Sequence, residues 1–170
     1  MLTLRLVKAA FVAAVALFAL LVGLNNLIDY DSNFQFVRHV LSMDTTFEGN
    51  RLMNRALTAP WIHHTAYALI IAAELATAAL TAWGAWALYR ARHESAAAFA
   101  RASTTATLGL ALGIGLWLTG FLTIGAEWFL MWQSQSWNGQ QAAFRFTMVL
   151  FAVLIFLHLP ETPSETQGRA

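Results

Sequence analysis

The chain has 170 residues, 58% of them hydrophobic and 11% charged, with a formal net charge of +1 and no cysteine. An ordinary soluble domain carries roughly 25% charged residues, so this composition and a mean hydropathy of +0.55 exclude a water-covered globule and give no basic surface for nucleic acid. The lack of cysteine excludes disulfides, thiolate metal sites, iron–sulfur clusters and CxxCH haem attachment.

In chain order, the first apolar run spans about residues 6–24, behind Arg5 and Lys8 and ahead of Asn25 and Asn26. Crossing a bilayer takes about 20 apolar residues at a rise of about 1.5 Å each. Ala14-Val15-Ala16 fits a signal-peptidase site. The run is long for a signal-peptide core, however, and no clear cleavage site precedes the polar block, so a retained helix is predicted. Residues 25–60 are polar. Further spans are predicted at about 61–89, 104–128 and 142–159, the last being the shortest. The polar tail, residues 161–170, is predicted to be disordered. The expected fold is all-α: an integral membrane four-helix bundle in one domain, residues 1–160, with an extracytoplasmic cap of short amphipathic helices between helices one and two.

The cap segment carries two S/T-x-x-E/Q patterns, Ser32 to Gln35 and Thr45 to Glu48. Each reads as a capping box, in which side chains satisfy the free amides of a helix's first turn. Phe34, Val37 and Leu41 follow the first, and Leu52, Met53, Ala56 and Leu57 the second, so two amphipathic helices are predicted. Pro60 is placed at the start of the second span. Gly109-x-x-x-Gly113 and the series Ala68, Ala72, Ala76 are small-residue ridges that permit close helix approach.

Positive charge sets direction. Arg5, Lys8, Arg90, Arg92 and Arg101 gather at one end of the spans, whereas residues 133–141 contain no lysine or arginine. Both termini are therefore expected in the cytoplasm. Trp128, Trp132 and Trp137 at one end and Trp83 and Trp86 at the other read as interfacial belts.

The stretch DYDSNFQFVRHVLSMDTTF, Asp29 to Phe47, together with the four-span layout, resembles a family of predicted small integral membrane proteins of unknown function, found mainly in proteobacteria. The resemblance implies the bacterial inner membrane and brings no established activity with it.

Glu74 is the most informative polar residue, because counting from Ile62 places it near the bilayer midplane. A carboxyl there must be protonated, hydrated or paired. His63, Tyr67, Glu74, Thr77 and Thr81 recur at helical spacing and form one inward stripe. That stripe fits a proton relay, the polar end of a quinone-like ligand, or helix-to-helix glue. In the cap, Asp29, Tyr30, Asn33, Arg38, His39 and Asp44 remain as interaction candidates. Thr119, Thr123 and Glu127 form a second stripe, and a Glu127–Arg145 ion pair is expected to close the last hairpin. No histidine spacing matches a metal motif, and no metal or other cofactor is assigned. No nucleophile elbow, P-loop or dinucleotide fingerprint is present. The leading expectation is a non-enzymatic accessory or interaction subunit whose partners are the lipid bilayer and a membrane protein or further copies of the chain. The alternatives are a quinone- or haem-binding subunit of a redox complex and a small proton-coupled transporter using Glu74.

Overall fold

The computed structural model describes residues 1–161. The expected disordered tail lies outside the described residues except for Glu161. Four helical stretches are long and apolar enough to cross a membrane: Leu2–Ile28, Pro60–His93, Ala96–Trp128 and Gln140–His158. They consist of α1 (Leu2–Ile28), α3 (Pro60–Arg90) with a terminal 3₁₀ turn, α4 (Ala96–Ala102) joined to α5 (Thr104–Ile114), and α6 (Gln140–His158). A shorter helix, α2 (Tyr30–Ser42), lies between the first two spans. No strand occurs among the described residues. The protein covers only 22–39% of each span's most apolar window. The remaining surface, including Leu69, Trp83 and Ile155, is apolar and exposed, as expected where lipid is the solvent.

α1 continues through Asn25 and Asn26 to Ile28, four residues beyond its predicted end. Asn26 is buried, and its amide is used inside the bundle rather than to stop the helix. Pro60 occupies the first turn of α3, where its missing N–H costs nothing.

Neither capping box forms. α2 begins at Tyr30 with Asp29 before it, so Ser32 lies inside the first turn and bonds the Asp29 carboxylate at 2.8 Å. At the second pattern there is no helix. Thr45 Oγ1 donates to Ser134 Oγ at 2.8 Å, and only a 3₁₀ turn, Met53–Arg55, follows. In both places a tertiary or sequential partner displaced the local cap.

α3 and α5 approach closely because Gly84, Gly109 and Gly113 lack side chains. A methyl at Gly84 would overlap the backbone of Ala106, and one at Gly109 would lie 2.8 Å from Thr81 Cγ2. The second predicted ridge is different: Ala68, Ala72 and Ala76 all face outward.

Beyond α5 the chain continues as a π-helix from Gly115 to Trp128, and the Phe129 amide closes a five-residue step onto Ile124 O at 3.0 Å. Long π-helical runs are uncommon. Thr119, Thr123 and Glu127 are exposed on this stretch, so the second stripe points away from the bundle.

The end opposite the cap is closed by two cations of α1. The Arg5 guanidinium bonds both Glu161 oxygens at 2.6 Å and donates to the carbonyls of Arg92 and Glu94 at 3.1 and 2.6 Å. It also lies 4.7 Å from the centre of the Phe99 ring. Lys8 Nζ donates to Leu159 O at 2.7 Å. Arg5 and Lys8 are only 5% and 3% exposed, and they tie α1 to the ends of α3 and α6 through backbone and carboxylate acceptors. The Arg5 hydrogen bonds hold the Glu161 carboxyl below the usual carboxylate range.

Two predictions follow the geometry. Gly84→Ala should lower stability by about 1–3 kcal/mol, the usual cost of overpacking, whereas Gly115→Ala, which meets open space, should not; detergent thermal unfolding measures both. Because the folded-state value of Glu161 is depressed, its contribution is complete above the unfolded value, about pH 4.3, and is lost as pH falls through the folded value. Glu161→Gln should therefore lower the midpoint at neutral pH and flatten its decline in acid.

Candidate functional site: the polar seam beneath the cap

Helices end with unsatisfied carbonyls, and α1 ends beneath α2. The Asn26 carbonyl, in the last turn of α1, accepts from Tyr67 OH at 3.1 Å. Its side-chain Nδ2 donates to Glu74 Oε2 at 2.7 Å, and its Oδ1 accepts from Asn33 Nδ2 at 2.7 Å. One asparagine thus connects α1, α2 and α3. Asn33 is exposed, Asn26 is 6% exposed and Glu74 is 2% exposed, so the seam runs from the cap surface into the bundle.

Position along the helices explains how the seam is tolerated. Glu74 follows Pro60 by fourteen residues and precedes Arg90 by sixteen, which is halfway along α3. Asn26, however, lies near the end of α1, eighteen residues past Lys8, or about 27 Å at about 1.5 Å per residue. The acid in the middle of one helix meets the polar terminus of another, and it gains a neutral amide donor where apolar surface alone would strand it.

Aromatic packing fixes α2 over this point. Phe34 stacks on His64 with centroids 4.2 Å apart, Tyr30 OH bonds His64 Nδ1 at 2.8 Å, and Tyr30 meets Tyr67 edge-on at 4.7 Å. The far end of α2 sits on the α5–α6 connection. His39 Nδ1 contacts both Asp44 oxygens at 2.9 Å and its ring stacks on Trp137 at 4.7 Å. Val40 and Met43 are buried with Ala126, Phe129, Leu130 and Met131. The strand-like return is sewn down by Leu57 N–H to Leu41 O at 2.8 Å and by His63 Nε2 to Leu57 O at 2.7 Å.

The five residues of the predicted stripe are all buried, but they do not form one network. Tyr67 and Glu74 share Asn26. His63 holds the loop, Thr81 Oγ1 donates back to Thr77 O at 2.6 Å, and Thr77 Oγ1 has no partner. The six cap candidates separate as well. Tyr30 and Asn33 join the seam, Asp29 accepts from Ser32, His39 pairs with Asp44, and Arg38 donates to Gln35 Oε1 at 2.9 Å. The expected Glu127–Arg145 ion pair does not form. Both side chains are on outward faces, and Arg145 Nε bonds Gln141 O of its own helix at 3.3 Å. Among the described residues no group of three or more histidines and acids is placed to hold a metal.

Asn26 and His64 at the seam, and Arg5 and Lys8 at the opposite end, make polar contacts between elements without belonging to any predicted candidate set. A signal for two of them was present: Arg5, Val12, Ala19 and Asn26 recur every seven residues and are all buried, which places both polar residues on α1's inward face.

Four membrane-length helices, polar groups joined across their interior and apolar outer faces define an all-α integral membrane protein. The chain belongs to the family described as predicted small integral membrane protein (DUF2165), whose model matches residues 4–160. No match to the chain is found among curated proteins or among solved structures.

Glu74→Gln keeps an acceptor for Asn26 and should leave the thermal midpoint nearly unchanged. Glu74→Leu strands the Asn26 amide and should cost about 1–3 kcal/mol, read as an earlier unfolding transition in detergent.

Proposed function

We propose that the protein is a non-enzymatic accessory or interaction subunit of the bacterial inner membrane, with both termini cytoplasmic and the cap extracytoplasmic. The orientation is supported by Arg5, Lys8, Arg90, Arg92 and Arg101 at the end away from the cap and by the arginine-free α5–α6 connection. The carrying observation is that the cap is bonded and packed onto α3 and onto the α5–α6 connection while part of its outward surface stays exposed. Phe47 is 57% exposed beside Trp132, and Glu48, Arg51 and Leu52 after it are exposed as well. An exposed surface that mixes apolar and charged groups is what a protein partner, or a further copy of the chain, engages.

The state of the buried charges favours this reading over ligand or proton chemistry. Glu74 is bonded to Asn26, Arg5 to Glu161 and two carbonyls, and Lys8 to a carbonyl. Each acts between helices of its own chain. Mild extraction of tagged protein from its native membrane should yield a stoichiometric partner. Arg51→Glu combined with Leu52→Ser should lose that partner, with an unchanged thermal midpoint. A wild-type protein that purifies alone as a monomer would contradict the proposal. So would proton-coupled flux in liposomes that disappears in Glu74→Gln.

A further inference from the structure

α1 and α3 leave an open groove of about 780 Å³ on their outer side. Its floor is made by Ala9, Ala13 and Ala16 of α1 and Ala78, Ala82 and Ala85 of α3. The lining runs from Leu6 to Leu20 on one helix and from Leu75 to Tyr89 on the other, about 21 Å at about 1.5 Å per residue. One leaflet of the hydrocarbon core is about 15 Å deep, so the groove is long enough to hold an acyl chain along the helices. Its volume falls within the roughly 300–1,000 Å³ of ligand clefts.

The end away from the cap is different in character. Trp86 and Tyr89 line it, their rings 6.2 Å apart. The Arg90 guanidinium lies 5.7 Å from the Trp86 ring centre and that of Arg92 4.0 Å from the Tyr89 ring centre. Two ion pairs form among the described residues, Arg5–Glu161 and His39–Asp44, and neither includes Arg90 or Arg92. Among the described residues neither guanidinium is paired with a carboxylate. Arg92 Nη1 donates to Tyr89 O at 2.7 Å, and the other N–H groups of both, beside the aromatic rings at the end of the apolar groove, are donors of the kind that a lipid phosphate accepts.

We propose that this groove binds an anionic phospholipid, with one acyl chain along the alanine floor and its phosphate on Arg90 and Arg92. A transmembrane helix from a second copy fits less well. It would have to neutralise both arginines, and the described acids of this end are Glu94 and Glu161, the latter held by Arg5. The inference depends on the membrane fold alone and is independent of the proposed subunit role.

Native mass spectrometry of the delipidated full-length protein, titrated with phosphatidylglycerol or phosphatidylcholine in detergent, tests it. Phosphatidylglycerol should bind with a preference of roughly tenfold or more, and Arg90→Gln with Arg92→Gln should erase that preference. Ala13→Leu with Ala82→Leu, at outward-facing groove positions, should remove binding of both lipids. Equal binding of the two lipids would overturn the proposal, as would a preference that survives loss of both arginines. A wild-type dimer that carries no lipid and is dissociated by the groove-filling pair would assign the groove to a second copy instead. If that pair fails to fold, the arginine variant alone decides.

Discussion

A carboxyl group placed among apolar helices must find a donor inside the protein, because lipid offers none. That requirement organises the cap half of this molecule. Glu74 takes its donor from Asn26, which lies in the last turn of α1 where that helix runs on past its apolar stretch to end beneath α2. The orphan Asn26 carbonyl then receives Tyr67, and its side-chain oxygen receives Asn33. Each bond in the seam creates the need that the next one meets. The shared asparagine joins the cap to the bundle, and aromatic packing of Tyr30 and Phe34 on His64 and Tyr67 holds it there.

The opposite end solves the same problem with opposite charge. Arg5 and Lys8 would be costly in hydrocarbon if unpaired. They reach the carbonyls that α3's terminal turn and α6's last turn leave free, and Arg5 adds a bidentate carboxylate. α1 is therefore held at both ends by polar contacts and between them by small apolar residues such as Val12 and Ala19. The glycine contacts of α3 with α5 supply the remaining close packing. Polar groups give the bundle its register, and dispersion between small residues fills the distance between helices.

Much of the architecture was legible in the sequence, for physical reasons specific to membranes. Runs of about 20 apolar residues have few other uses, so the four spans stood out. The stripe through His63, Tyr67, Glu74, Thr77 and Thr81 followed from helical periodicity, which decides which way a side chain points. It does not decide what that side chain meets. The partner of Glu74 lies 48 residues away in the chain, and no local pattern links Asn26 to it. The capping boxes did not form because Ser32 bonds Asp29, three residues before it, and Thr45 bonds Ser134, 89 residues away. Arg5 and Lys8 stand out in the sequence only as positive charge near one end of the spans, and a rule about charge does not say which carbonyls and which carboxylate they meet. Glu127 and Arg145 matched in depth but not in facing, which spacing along separate helices does not specify.

The central claim is that the Asn26–Glu74 hydrogen bond couples the end of α1 to the middle of α3. A double-mutant cycle on Asn26→Ala and Glu74→Ala, with unfolding free energies measured in mild detergent, reads that coupling directly. An interaction energy of about 1 kcal/mol is expected, toward the upper part of the range for hydrogen bonds between membrane helices. Single-mutant effects that simply add would contradict it.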